Sequence, residues 1–241
     1  MQPADTVSLF CNMNDMSYRL SQSEFRAKHL ASYDAAAVEQ YEAWTQQIGE
    51  ADELACLADI AQVFALEAGM SVLDAGAGTG AMCRILLRIG GLELTALEPS
   101  SLMLERLINK PELGSMRTCQ GFCDSPEDQS LFRPDYFDVI VSRQLANGLY
   151  DPLAAMANWR HWLKPHGAVL LIDGFYSRSA WANLDTNFAD CLPLAANQSL
   201  ATLPYLLEIA GFTVAHAGMM QATNALPYTR TARYLVVAKL D

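Results

Sequence analysis

The sequence predicts an α/β protein built on a doubly wound, mostly parallel sheet, with a helical segment in front of it. From residue 69 onward, short apolar runs alternate with amphipathic stretches, a pattern typical of βαβ units. Hydrophobic residues make up 51% of the 241-residue chain and charged residues 18%, which excludes a disordered chain. A chain of this length can bury one large core without metal or disulfide staples.

The N-terminal segment, residues 1–68, is predicted to be an arm followed by a helical cap. Ser21 is a suitable N-cap, and apolar residues follow at mostly three- and four-residue spacing. These residues are Tyr33, Val38, Tyr41, Trp44 and Ile48. Acidic residues at 50–53 suit the start of a further helix, because the helix dipole favours negative charge there. The apolar side of that helix is expected to hold Leu54, Leu57, Ile60, Val63 and Phe64.

The second unit, residues 69–241, is predicted to contain the sheet. Its first five strands are expected near Ser71–Asp74, Leu92–Leu97, Met116–Gly121, Asp138–Ser142 and Ala168–Ile172. A helix near 199–210 and two strands near 212–219 and 232–239 close the chain. The connection between these two strands is too short for a parallel crossover, so they should be antiparallel neighbours. Residues 175–198 fit neither element and are interpreted as a lid or insert.

Composition excludes several classes of function. The formal net charge is −11 and no two Lys or Arg residues are adjacent, whereas nucleic-acid binding needs clustered basic residues. The apolar stretch at 168–172 is far shorter than the ~20 residues that cross a bilayer, and the N-terminus lacks the basic residues of a signal peptide. The six cysteines form no CxxC or Cys/His cluster, which predicts no metal site. We expect a cytoplasmic protein without nucleic-acid or membrane partners.

A glycine-rich turn between the first strand and its helix is the strongest motif. Val72–Gly80 reads VLDAGAGTG, with glycines at 76, 78 and 80. Glycine lets the backbone turn sharply and lets a ligand approach it, while the helix N-terminus offers free N–H groups. Glu98, at the end of the next strand, is placed to accept both hydroxyls of an adenosine ribose. The motif therefore predicts an adenosine-containing ligand at the carboxyl edge of the sheet rather than a turn without a ligand.

Charge decides between the adenosine ligands. Dinucleotide folds use G-x-G-x-x-G against a pyrophosphate, whereas this chain has G-x-G-x-G preceded by Asp74. A carboxylate at that position would repel pyrophosphate but suits an ammonium or sulfonium group. There is no GxxxxGK[ST] loop to cradle the phosphates of a phosphoryl-transfer substrate. The sequence therefore favours S-adenosylmethionine over NAD as the cofactor.

These motifs resemble those of class I S-adenosylmethionine-dependent methyltransferases, particularly small-molecule members. Residues 74–80 resemble the first motif of the family and residues 97–104 the second. Residues 137–142 are similar to the fourth strand, and residues 162–167 to the turn before the fifth. The resemblance covers about 70–240. It implies a Rossmann-like, seven-stranded sheet with an antiparallel last strand, and methyl transfer to a small-molecule acceptor.

The resemblance also implies a set of cofactor-binding residues. The loop from Gly76 to Gly80 would pass under the methionine part of the cofactor, with Asp74 facing its ammonium group. Glu98 would hold the ribose, and Pro99 to Met103 would border the adenine. The expected cofactor-binding residues are Asp74, Gly76, Gly78, Gly80, Glu98, Pro99, Phe122, Cys123, Asp124 and Ser142.

The adenine contact departs from the family pattern. Members often carry G-D-A after the third strand, where the acid bonds the adenine amino group. This chain has Gly121-Phe122-Cys123-Asp124, so the acid comes two positions late. Two alternatives remain open. Either Asp124 reaches the adenine, or Phe122 packs on the ring while the Cys123 N–H donates the hydrogen bond.

Methyl transfer from a sulfonium is an in-line displacement that needs no metal, and most of its acceleration can come from positioning. A base is needed only if the acceptor must lose a proton. The catalytic candidates at the strand ends are Gln144, Arg143 and Tyr176, with Asn147, Tyr150 and Asp173 nearby. Three aromatic residues of the N-terminal helices could close the pocket, but they are interpreted first as packing residues; they are Tyr33, Tyr41 and Trp44. His29 could reach the pocket from the early helix, but it is interpreted first as a surface residue, and no histidine stands out as a base.

Other functions remain as alternatives. A catalytically inactive S-adenosylmethionine-binding module would keep the same glycine loop and the same Glu98. A tRNA or protein methyltransferase is disfavoured by the net charge of −11, and an NAD-dependent oxidoreductase is disfavoured by Asp74 and the glycine spacing. The sequence determines neither the acceptor nor the oligomeric state.

Overall fold

The computed structural model describes residues 20–114, 116–177 and 190–241 and confirms the predicted α/β class. Its strands are β1 (Ser71–Ala75), β2 (Glu93–Glu98), β3 (Arg117–Gln120), β4 (Phe137–Arg143), β5 (Leu163–Gly174), β6 (Thr213–Met219) and β7 (Arg233–Lys239). They form one seven-stranded sheet in the order β3-β2-β1-β4-β5-β7-β6. Strands β1 to β5 are parallel, whereas β7 is antiparallel to both β5 and β6, as predicted.

The helices alternate with the parallel strands. They are α1 (Gln22–Ser32), α2 (Ala35–Thr45), α3 (Glu50–Ala61), α4 (Ala81–Leu87), α5 (Ser101–Ile108), α6 (Pro152–Trp162), α7 (Thr202–Ile209) and α8 (Gln221–Asn224). Short 3-10 helices cover Pro126–Leu131 and Ala146–Gly148. Within the described ranges, no helix is long and apolar enough to cross a membrane.

Helices cover both faces of the sheet because the central strands are apolar on both faces. On one face, Leu73 of β1 packs in a cluster with Trp159 of α6 and Leu207 of α7. On the other face, Val72 packs with Ile60 of α3. Successive side chains of a strand point to opposite faces, so one short strand contributes to both cores. This arrangement leaves the carboxyl ends of the parallel strands as the place for a ligand.

Two local predictions were wrong. Helix α3 ends at Ala61, so Val63 and Phe64 lie beyond it, and Leu54 is 51% exposed because it faces away from the sheet. Residues 163–167, expected as a turn before the fifth strand, already belong to β5. The pairing of β4 with β5 is irregular there, and His166 has a φ of +62°, so the strand passes through the expected turn instead of beginning after it.

Helix α1 is joined by ion pairs to the segment that follows β3, at the carboxyl end of the sheet. Ser21 caps it through a capping box with Glu24, as the sequence suggested. Arg26 forms ion pairs with Asp124 (2.8 Å) and Asp128 in the segment that follows β3. Of the expected insert, residues 178–189 lie outside the described residues, as do residues 1–19 of the N-terminal arm. Leu192, from the described part of the insert, shares a buried cluster with Phe25 of α1.

Candidate active site

A cavity of about 440 Å³ opens where β1, β2 and β4 end. The loops that follow these strands line it, together with the segment after β3, helices α1 and α2, and Leu192. Small-molecule sites occupy roughly 300–1,000 Å³ and are mostly apolar with a few placed polar groups. The described residues that line this cavity fit that description, since most are aromatic, aliphatic or glycine.

The glycine loop enters the cavity in a conformation that requires glycine. Gly76 has a φ of +72°, and a Cβ added there would lie 2.8 Å from Leu145 Cδ1. Gly76 and Gly78 line the cavity, as predicted. Gly80 does not. Its φ is +91°, it is the N-cap of α4, and an added Cβ would lie 2.5 Å from Leu113 Cδ1. The third glycine therefore serves close packing instead of ligand approach.

Asp74, the residue before the last of β1, has one carboxylate oxygen without a described hydrogen-bond partner. The residue is buried, and Oδ2 accepts a hydrogen bond from Cys83 Sγ at 2.9 Å. Oδ1 has no hydrogen-bond partner among the described residues. Burial raises the pKa of Asp74 to about 6. An unpartnered buried carboxylate oxygen fits a cationic ligand group, although Asp74 itself is not on the cavity wall. Ser142 is also buried in its strand, away from that wall.

Glu98 lies on the cavity wall and accepts hydrogen bonds from the glycine loop and from the start of α5. Its Oε2 accepts the Gly78 N–H at 3.0 Å and its Oε1 accepts the Ser100 N–H at 2.9 Å. Burial raises the pKa of Glu98 to about 7, and the charge of Asp74 adds to this effect. A carboxylate offers about four lone-pair sites, so Glu98 keeps capacity for two ligand hydroxyls.

The segment after β3 contains the residues of both adenine alternatives. Both Asp124 oxygens are engaged, one by Arg26 Nη2 (2.8 Å) and the other by the Tyr150 N–H (2.9 Å). Phe122 lines the cavity, with the Arg26 guanidinium 4.5 Å from its ring centroid. No acceptor among the described residues receives the Cys123 N–H. The geometry favours the alternative in which Phe122 and Cys123, rather than Asp124, face the adenine.

Residues of α1 and α2 that sequence reasoning assigned elsewhere lie on the cavity wall. His29 lines the cavity edge-on to Phe122 at 5.7 Å, so the expected surface position was wrong. Burial lowers the pKa of His29 to about 4, which leaves the ring neutral at neutral pH. Tyr33 and Tyr41 line the cavity too, whereas Trp44 is 44% exposed and outside it.

The sequence reasoning also missed Phe25, Leu145 and Leu192 as cavity residues. Helical periodicity marks Phe25 as apolar, but it does not reveal which pocket the residue faces. Leu145 and Leu192 carried no signal beyond their apolar character.

Two of the three catalytic candidates lie on the cavity wall. Arg143 and Gln144 follow β4 and line the wall. Gln144 has a φ of +60°, and with its amide oxygen turned inward it accepts the Tyr176 hydroxyl at 2.6 Å and both Arg233 Nη atoms at 2.8 Å. Tyr176 and Arg233 do not line the cavity and instead hold Gln144 from behind.

Asp173 supports the neighbouring loop instead of facing the cavity. Its Oδ1 accepts from Asn147 Nδ2 at 3.1 Å and from the Gly174 N–H at 2.7 Å, while Oδ2 accepts the Asn147 N–H at 3.3 Å. Burial raises the pKa of Asp173 to about 6. Asn147 lines the cavity, so Asp173 fixes a piece of the wall from outside. Among the described residues, no group of three His, Cys, Asp or Glu side chains could hold a metal ion.

The fold is that of an α/β protein with a ligand-sized cavity at the carboxyl ends of its parallel strands, and comparisons identify its family. A sequence model described as a methyltransferase domain matches residues 48–217. The chain belongs to this family and is an S-adenosylmethionine-dependent methyltransferase. A highly reducing polyketide synthase of Emericella nidulans is 32% identical over 114 residues, a match that spans 44% of this chain and 4% of the synthase.

Two solved structures share the fold. A SAM-dependent methyltransferase from Aquifex aeolicus superposes with a TM-score of 0.62 at 18% identity, covering 87% of this chain and 100% of that one. Phosphoethanolamine N-methyltransferase 2 of Haemonchus contortus, solved with phosphomonomethylethanolamine and S-adenosylhomocysteine, gives a TM-score of 0.65 at 17% identity. That match covers 92% of this chain and 60% of the other. Both matches confirm the predicted Rossmann-like fold.

Proposed function

We propose that this methyltransferase transfers a methyl group to a small-molecule acceptor by in-line displacement. The observation that carries the proposal is the single cavity shared by the glycine loop, Glu98 and the polar residues after β4. Helix α1 lines this cavity and is tied to the segment after β3 by Arg26, and such an enclosed site favours a small acceptor over a macromolecular one. The net charge of −11 argues against tRNA as the acceptor.

The cofactor-binding residues are proposed from the geometry around the loop. Gly76 and Gly78 would approach the cofactor through their backbone, and Glu98 would accept its ribose hydroxyls. Asp74 would balance the ammonium group by charge, because its free Oδ1 has no described partner. Phe122 and the Cys123 N–H would hold the adenine. When bound, S-adenosylmethionine supplies an electrophilic methyl group on its sulfonium.

The chain's own contribution is proposed to be positioning and exclusion of water. Gln144 is held rigidly by Tyr176 and Arg233, so it can orient an acceptor through its amide. Tyr33 and Tyr41 present aromatic surfaces that suit a sulfonium through cation–π attraction. His29 is neutral at neutral pH because its pKa is about 4. A base with so low a pKa is weak, so the arrangement favours an acceptor that is already nucleophilic.

Calorimetric titration with S-adenosylhomocysteine, with NADH in parallel, tests the cofactor assignment. Transfer of labelled methyl from S-adenosylmethionine to a small-molecule extract, to bulk tRNA and to protein then tests the acceptor class. Label in the small-molecule fraction supports the proposal, and label only in tRNA or protein contradicts it. Binding without transfer to any fraction would support the alternative of an inactive S-adenosylmethionine-binding module. The boundary between cap and catalytic domain at residues 68 and 69 remains a prediction.

A further inference from the structure

The cavity wall contains one cationic side chain, Arg143, that contacts no acid among the described residues. Among the described residues that line the cavity, Arg143 is the single Lys or Arg. The Arg143 side chain is half-buried, and its guanidinium has no ion pair or hydrogen bond with the described residues. Arg26, Arg84 and Arg88, in contrast, all pair with carboxylates.

The carboxylates around Arg143 are already engaged or lie out of contact. Glu98 accepts two backbone N–H groups, and Asp124 is paired with Arg26. Asp74 feels the charge of Arg143, but no ion pair joins them. Tyr41 faces the same charge, which opposes the rise that burial causes in its pKa. The guanidinium fork is therefore presented to the cavity with its donors available.

The backbone on both sides of the Arg143 side chain is fixed by the sheet. Arg143 is the last residue of β4 and pairs in register with Ile172 of β5. The following Gln144 N–H donates to the Ile172 carbonyl at 2.8 Å, and the Gln144 side chain is held by Arg233. Arg233 forms no ion pair with a described carboxylate, but its charge acts on Asp173, and neither residue lines the cavity.

We propose that Arg143 is the anchor of a carboxylate-binding site within the cavity, and that an acidic methyl acceptor supplies the carboxylate. Arginine binds a carboxylate through two parallel N–H···O bonds, which fixes orientation as well as charge. The inference rests on the proposed function, because it names the class of acceptor. The methionine end of the cofactor also carries a carboxylate, and the experiment separates this second source.

The test uses two titration arms on the full chain and on Arg143→Gln, with Arg106→Gln as the matched control. Arg106 lies on the exposed side of α5, so the Arg106→Gln substitution removes the same charge away from the cavity. One arm compares S-adenosylhomocysteine with 5′-methylthioadenosine, which lacks the amino-acid end. The other arm adds benzoate and phenylacetate, with benzamide and phenylacetamide as neutral counterparts, to protein with and without saturating S-adenosylhomocysteine. The probes are aromatic because Phe25, Tyr33 and Tyr41 line the cavity.

We expect the wild-type protein to bind the acids about tenfold more tightly than the amides, and Arg143→Gln to lose that preference. Arg106→Gln should keep it. If Arg143→Gln instead weakens S-adenosylhomocysteine about tenfold and spares 5′-methylthioadenosine, the site belongs to the cofactor and the acceptor assignment is overturned. If neither preference depends on Arg143, or no acid binds, the carboxylate site itself is overturned. If the wild-type protein does not bind S-adenosylhomocysteine, the proposed function is contradicted. The titration of acids and amides in the absence of S-adenosylhomocysteine would still show whether Arg143 binds a carboxylate.

Discussion

Glu98 links the ligand site to the backbone that forms it. It holds the Gly78 and Ser100 N–H groups and still faces the cavity. Replacing Glu98 with Ala should weaken S-adenosylhomocysteine binding by roughly 1–3 kcal/mol, the scale for losing a charge-assisted hydrogen bond. Calorimetry measures the change, and Glu105→Ala on the exposed side of α5 is the control. An unchanged affinity would mean that the ribose contact is misassigned.

The raised pKa values of Glu98 and Asp74, about 7 and about 6, predict a pH dependence of binding. Both acids hold a proton below these values in the free protein. Ribose hydroxyls and an ammonium group favour the ionised forms, so binding must release protons in this range. Affinity for S-adenosylhomocysteine should therefore fall as the pH is lowered from about 8 to about 5.5.

Calorimetry in buffers of different ionisation enthalpy measures the proton release directly. Glu98→Gln should remove the part of the dependence centred near its pKa of about 7. Proton uptake on binding, or an affinity that does not change with pH, would contradict the assignment of both carboxylates.

At the scale of elements, the turn into α4 depends on Gly80. Alanine there would combine a φ of +91° with a contact of 2.5 Å to Leu113, so Gly80→Ala should cost about 1–3 kcal/mol in the free energy of unfolding. Gly148→Ala is the matched control, because an added Cβ meets nothing within 4 Å and the φ is not positive. Urea denaturation compares the two variants, and equal stabilities would show that the turn tolerates a side chain.

Helix α1 is held by the ion pairs of Arg26 and by the buried cluster around Phe25. Arg26→Ala would leave Asp124, whose side chain is 4% exposed, without its cation. Removing one partner of such a buried pair costs several kcal/mol, and about 2 kcal/mol is expected here because Arg26 is partly exposed. Hydrogen exchange should show faster exchange of the α1 amides, whereas Arg106→Ala should not. Unchanged exchange in α1 would mean that Phe25 and its cluster hold the helix alone.

At the scale of the whole molecule, the cavity joins the strand ends to α1 and α2, so a ligand should stabilise the chain as a unit. S-Adenosylhomocysteine at 100 times its Kd would add about 2.7 kcal/mol, which corresponds to a Tm increase of roughly 5–10 °C for a chain of this size. Thermal unfolding with NADH at the same concentration is the control. An equal increase with NADH would contradict the argument built on Asp74.

Much of the fold was predictable because its signals are local. The alternation of apolar runs and amphipathic stretches gave the parallel sheet, and the short connection before β7 predicted the antiparallel end. The exceptions, the end of α3 and the start of β5, are boundaries, where tertiary packing competes with local pattern. At β5 the irregular pairing with β4 extends the strand through residues that read as a turn.

The sequence by itself determined the class of ligand, because Asp74, the glycines and Glu98 lie close along the chain and their chemistry is explicit. Only the tertiary structure decided how the remaining residues are used. Asp124 forms an ion pair with Arg26, which lies on a helix distant in sequence, and His29 lines the cavity. These outcomes depend on which segments pack together, and that is set by the global balance of burial and pairing rather than by any local pattern.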